Sequence, residues 1–154
     1  MSSLQVDSIS SMGGGHVDGA GKVVQFKEAV NETVVTIASG VTTTILTLNF
    51  TPKFSDSLIL CQAFHSNDSS IADTYNNCNA SIYAGATQVA NAEAVGYLIA
   101  KSADARFQYG YSGSIASWGT TSLVIELNVG AGFGDWIVSR NNRETSLYVW
   151  EIAQ

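Results

Sequence analysis

The hydrophobic positions of this chain recur with a period of two over most of its length. In TTTILTLNF (residues 42–50), Leu46, Leu48 and Phe50 share one face while Thr47 and Asn49 take the other. SLVIELNVG (residues 122–130) repeats the arrangement, with Leu123, Ile125, Leu127 and Val129 on one side and Glu126 and Asn128 opposite. Successive side chains of an extended strand point to opposite faces, so the alternation predicts half-buried strands. Three segments depart from it. VVQF (23–26), SLILCQAFHS (57–66) and SLYVWEIA (146–153) are apolar on both faces for part of their length. That composition predicts a sandwich interior, or a sheet whose outer face meets another subunit.

Turn residues separate these runs at fairly even spacing: ASG at Ala38, TPKFSD at Thr51, NDSS at Asn67, YAGATQ at Tyr83, SGSIASWGT at Ser112 and VGAGFGD at Val129. The only proline, Pro52, falls in one of them, where its missing N–H does no harm to a ladder. Helical periodicity never persists. Its best candidate, QVANAEAVGYLIAK (88–101), is interrupted by Gly96, and Val89, Val95 and Ile99 suit a strand equally well. About eight short strands between polar turns predict an all-β fold, an antiparallel β-sandwich of jelly-roll type.

The first 21 residues differ from the rest. MSSLQVDSIS alternates weakly through Leu4, Val6 and Ile9, and is followed by Gly13, Gly14, Gly15, Gly19 and Gly21. An isolated segment of this length makes no stable sheet and gains order by laying itself on another surface as an added strand. The expected organisation is an extended N-terminal arm with a glycine hinge over residues 1–21 and a sandwich domain over 22–154.

Composition narrows the function. Charged residues are only 13% of the 154 residues, so surface polarity falls to Ser, Thr, Asn and Gln. This suits a packed shell subunit or a carbohydrate-facing surface better than a cytosolic enzyme. The net charge of −6 and the dispersed Lys and Arg argue against nucleic acid. In SRNNRE, the nearest approach to a basic cluster, Glu144 partly cancels Arg140 and Arg143. No segment has the apolar length of a membrane span, and the N-terminus lacks the pattern of a signal peptide. Synthesis in a cytoplasm is therefore expected, where Cys61 and Cys78 favour free thiols, although a bridge between them stays open. The sequons at Asn31, Asn49, Asn67 and Asn79 then read as chance matches.

Catalytic readings find little support. Gly21-Lys22 resembles the end of a phosphate loop, yet His16 stands where the first glycine belongs and Val23 where the hydroxyl belongs. The strand VVQF follows in place of a helix N-terminus. Cys61, His65 and Cys78 are three candidate metal ligands with His16 a poor fourth, short of the tight pairs of a zinc site. Cys61 and His65, two strand repeats apart, lie about 13 Å from one another along the backbone, too far for a nucleophile and its base. No G-x-S-x-G elbow occurs. Asp68 and Asp73 fall in a polar stretch where solvation explains them. No enzyme activity and no cofactor or metal is expected. A carbohydrate reading rests on aromatics: Tyr109 and Tyr111 on one strand face, Trp118 in the turn after it, and Phe133 and Trp136 in GFGDW. Such rings stack on sugars or cover a subunit interface.

Taken in order, MSSLQVDSIS, the glycine spacer, GKVVQF, LNFTPKFSDSLILCQAF and the aromatic strand at Ser146–Ile152 resemble small virion proteins of tailed phages, particularly those of cyanobacterial and marine hosts. The resemblance implies a virion structural protein: a capsid cement or decoration protein, or a short fibre subunit, commonly trimeric. Without a shaft or repeats, a compact knob on the capsid surface is the expectation, assembled in the host cytoplasm. It would dock on the major capsid protein or other virion subunits through Leu4, Val6 and Ile9. The alternative is a fibre domain that binds a host-surface glycan, with a glycan hydrolase more distant.

Overall fold

The computed structural model describes residues 21–69, 75–93, 98–99, 106–139 and 143–154, and all of its regular elements are strands. They are β1 (Val23–Asn31), β2 (Val35–Ile37), β3 (Thr42–Phe50), β4 (Leu58–Ser69), β5 (Tyr75–Ala84), β6 (Thr87–Glu93), β7 (Leu98–Ile99), β8 (Arg106–Ala116), β9 (Leu123–Phe133), β10 (Trp136–Val138) and β11 (Thr145–Ile152). Every ladder is antiparallel. β10 and β11 pair with successive stretches of β4, and β2 and β1 pair with β10 and β11. Each of these couples is one long strand with a break. β6 and β7 likewise share the same partner, β5.

Counted this way, the described residues form two four-stranded sheets. The first runs β1/β2, β10/β11, β4, β8 and the second β3, β9, β5, β6/β7. Consecutive strands alternate between the sheets except at the β5–β6 hairpin, which stays within the second, and this is the connectivity of the eight-stranded jelly roll. The expectation of an all-β antiparallel sandwich of that type holds.

The alternating segments bury the predicted faces. Leu46, Leu48 and Phe50 from β3 meet Leu123, Ile125, Leu127 and Val129 from β9, all within the core. Opposite them stand Ile59, Cys61 and Ala63 of β4 and Leu147 and Val149 of β11. At one end Glu151 is fully buried beneath the loop that joins β3 to β4. Its carboxylate accepts hydrogen bonds from the Lys53 N–H (2.8 Å), the Phe54 N–H (2.9 Å) and the Ser57 hydroxyl (2.9 Å). A buried carboxylate with three donors clamps that loop to the sheet.

Three turn expectations fail in the same way. NDSS was expected to turn, yet β4 continues through Asn67 to Ser69. VGAGFGD was expected to turn at Val129, yet β9 continues to Phe133 and reverses only at Gly134, whose φ is +70°. Gly130 and Gly132 serve as clearance within the strand. A Cβ on Gly130 would collide with the Asn79 side chain, and one on Gly132 would press on Asn77 at 3.3 Å. Similarly, β8 extends through Ser112 to Ala116 before the chain turns.

Candidate functional site

The five aromatics singled out from the sequence do not form one surface. Tyr109 and Tyr111 share a strand face as expected, but that face turns inward beside β4, and both hydroxyls are buried. Trp136 is wholly buried as the first residue of β10, its indole N–H donating to the Asn77 carbonyl (3.1 Å). Trp118 packs against the core near Ser55 and Ser57, the opposite end of β4 from Trp136. Only Phe133 is well exposed. Of the rings expected to stack on a glycan or cover an interface, Tyr111 and Trp136 are turned into the protein, while Tyr109 lines a cavity beside Phe64 and His65. The arm residues Leu4, Val6 and Ile9 and the hinge residues Gly13, Gly14, Gly15 and Gly19 lie outside the described residues. Gly21 is described, with a φ of +81° and its N–H bonded to the Ala153 carbonyl (2.6 Å).

His65 is also interior. Its ring lies 5.0 Å from that of Tyr109 and 5.7 Å from that of Tyr111, and neither ring nitrogen has a hydrogen-bond partner among the described residues. Burial lowers its pKa to about 4, so it is a neutral imidazole at ordinary pH. Cys61 and Cys78 are free and buried, and burial pushes each up to about 12. A protonated thiol is a poor nucleophile and a poor metal ligand. Among the described residues no three His, Cys, Asp or Glu side chains gather around one point. Asp68, expected in a solvated loop, is buried in β4, and Asp73 lies outside the described residues.

The surface that stands out is one that the five aromatics did not mark. The three segments that are apolar on both faces become β1, β11 and β4, adjacent in one sheet. Their inner faces enter the core. Their outer faces carry Phe26, Tyr148, Trp150 and Phe64, with Leu60 and Gln62 between them. Ring centroids are 5.5 Å apart for Phe26 and Trp150, 5.8 Å for Tyr148 and Trp150, and 6.2 Å for Phe64 and Tyr148. Phe26 is 47% exposed and Phe64 44%, too much for side chains whose role is to fill a monomer's core. Gly110 of β8 leaves room for the Phe64 ring, since a Cβ there would approach it to 2.9 Å.

This aromatic band runs into a cavity of about 540 Å³ lined by Phe64, Ser66, Gln108, Gly110, Arg143 and Glu144 among others. The Ser66 hydroxyl is buried there and makes no hydrogen bond among the described residues. The arrangement is a flat aromatic platform with polar groups at one end, suited to binding. The sequence signal that finds it is the loss of alternation in the three segments.

No known protein family and no curated protein matches the sequence. Among solved structures, the VP2 subviral particle of infectious bursal disease virus is similar over 85% of this chain, at 13% identity and a TM-score of 0.43. The chain spans 38% of the length of that VP2 chain. The sugar-binding EclA C-terminal domain is similar over 91% of this chain and 89% of its own, at 15% identity and a TM-score of 0.38. Dimeric latent PorU from Porphyromonas gingivalis matches 87% of this chain and 14% of its own, at 10% identity and a TM-score of 0.41.

Proposed function

We propose that this protein is a virion structural subunit, a capsid decoration protein that self-associates through its aromatic sheet face and docks through its N-terminal arm. The observation that carries the reading is the exposed band of Phe26, Trp150, Tyr148 and Phe64. Aromatic residues are concentrated where protein surfaces meet, and a patch of this kind in water favours association. The occupant is a second copy of the chain. Each copy carries a net charge of −6, so like copies repel unless they meet on a face poor in carboxylates. Along the register of β1, β11 and β4 the outward positions from Phe26 to Phe64 include one carboxylate, Glu28, and no Lys or Arg.

The sequence resemblance to phage virion proteins supplies the second half of the reading, a trimer whose arms grip the shell. Three arms on one trimer bind with far greater avidity than one. The test is decoration of purified capsids by the full chain and by a chain lacking residues 1–21. The full chain should saturate the shell in a fixed ratio to the major capsid protein. The truncated chain should keep its sandwich fold by circular dichroism and leave the capsids bare. Unchanged decoration by the truncated chain sinks the arm, and attachment at the tail alone sinks the decoration role.

A further inference from the structure

The two outer faces of the sandwich differ in chemistry, and the second carries a site of its own. On the outer face of the β3, β9, β5, β6 sheet, side chains fall into rows across the strands. Thr44, Asn128, Ser81 and Asn91 stand in register across all four. Beside them Thr42, Gly130, Asn79 and Glu93 form a second row, and Tyr83 and Gln88 belong to a third. Thr42, Asn79, Ser81, Tyr83, Gln88, Asn91 and Asn128 line a trough of about 370 Å³.

From this geometry we infer that the trough binds a neutral oligosaccharide of roughly two or three sugar rings, the size such a volume accommodates. Three features set it apart from a merely solvated sheet face. First, among the described residues the lining has hydroxyls and amides and no charged side chain, whereas an ordinary exposed strand face is rich in Lys and Glu. Amides and hydroxyls both donate and accept, which is what adjacent sugar hydroxyls require. Second, the lining is held in place before any ligand arrives. Thr44 Oγ1 bonds Asn128 Oδ1 at 2.6 Å, and the Tyr83 hydroxyl bonds Gln88 Oε1 at 3.0 Å. Fixed partners lower the ordering cost of binding. Third, Gly130 hollows the floor: a Cβ there would collide with Asn79 Oδ1 and sit 2.8 Å from Thr42 Oγ1. Half-buried Tyr83 closes one end with a ring on which a sugar can stack.

The absence of any cation from the lining also sets specificity. The nearest ionisable group in the third row is a carboxylate, Glu126, paired in register with Tyr83. Sugars bearing uronic or sialic acids gain no partner here and are repelled. The site is independent of the aromatic face on the other sheet, so it stands or falls apart from the decoration reading.

The test is saturation-transfer NMR of the full chain against a library of neutral and acidic oligosaccharides at millimolar concentration. Three variants accompany it: Ser81→Arg to fill the trough, Asn128→Ala to remove one polar partner, and Trp150→Ser on the opposite face, each checked for an unchanged circular dichroism spectrum. Neutral oligosaccharides should give transfer and acidic ones none. Ser81→Arg should abolish the signal, Asn128→Ala should weaken affinity about tenfold, and Trp150→Ser should leave it intact. Silence across the neutral set overturns the inference. So does a signal that survives Ser81→Arg, or one lost in Trp150→Ser alone, which would place binding on the aromatic face.

Discussion

His65 occupies a position on the inner face of β4 that the alternation of the strand reserves for apolar residues, between Cys61 and Ala63 below it and Asn67 above. The same spacing places Cys61 and His65 on one face, but turns both into the core rather than toward a metal. Because burial lowers the His65 pKa from 6.5 to about 4, the unfolded chain binds a proton that the folded chain refuses over that interval. Stability from this group is present above pH 6.5 and is lost as the pH falls through 6.5 toward 4, by about 3 kcal/mol in all. Urea unfolding at several pH values in that range checks the slope against His65→Leu, which should lack this part of it. Equal slopes would mean that the ring is hydrated in the folded protein.

At the scale of the element, glycine is the residue whose meaning the fold alone reveals. Sequence pattern reads SGS and VGAG as turns, because glycine usually marks them. In the structure Gly113 lies mid-strand in β8, where the edge of the first sheet approaches β6 of the second. A Cβ on Gly113 would run into the Val89 carbonyl and sit 3.0 Å from the Ala90 Cβ. Gly113→Ala should therefore lower stability by about 2 kcal/mol, since the obstacle is backbone and cannot swing aside. Ser114→Ala, the next residue on the outer face, should change it by under about 0.5 kcal/mol. Thermal melts of the two variants compare these directly, and equal melting temperatures would show that β6 yields.

For the whole molecule, the two outer faces divide its surface into an aromatic side and an amide-hydroxyl side. Light scattering should give the full chain a mass of three subunits. Trp150→Ser and Phe26→Ser together should return it to the mass of one, with the fold retained because neither ring belongs to the core. A wild-type protein that runs as a monomer at high concentration contradicts the association reading. The aromatic band needs three strands from distant parts of the sequence, so no local window displays it. It was legible only as three separate failures of alternation, at VVQF, SLILCQAF and SLYVWEI.

By itself the sequence determined the all-β class, the antiparallel sandwich and the buried faces of β3 and β9, because side-chain direction along a strand follows from a local period of two. It also determined the shortage of charge that shapes both outer faces. The tertiary structure decided which strands are neighbours, and with them the aromatic band, the polar trough, and the inward turn of Tyr109, Tyr111 and Trp136. Those depend on register between strands far apart in the chain, which is fixed by packing of the two sheets against one another and cannot be read from any one strand alone.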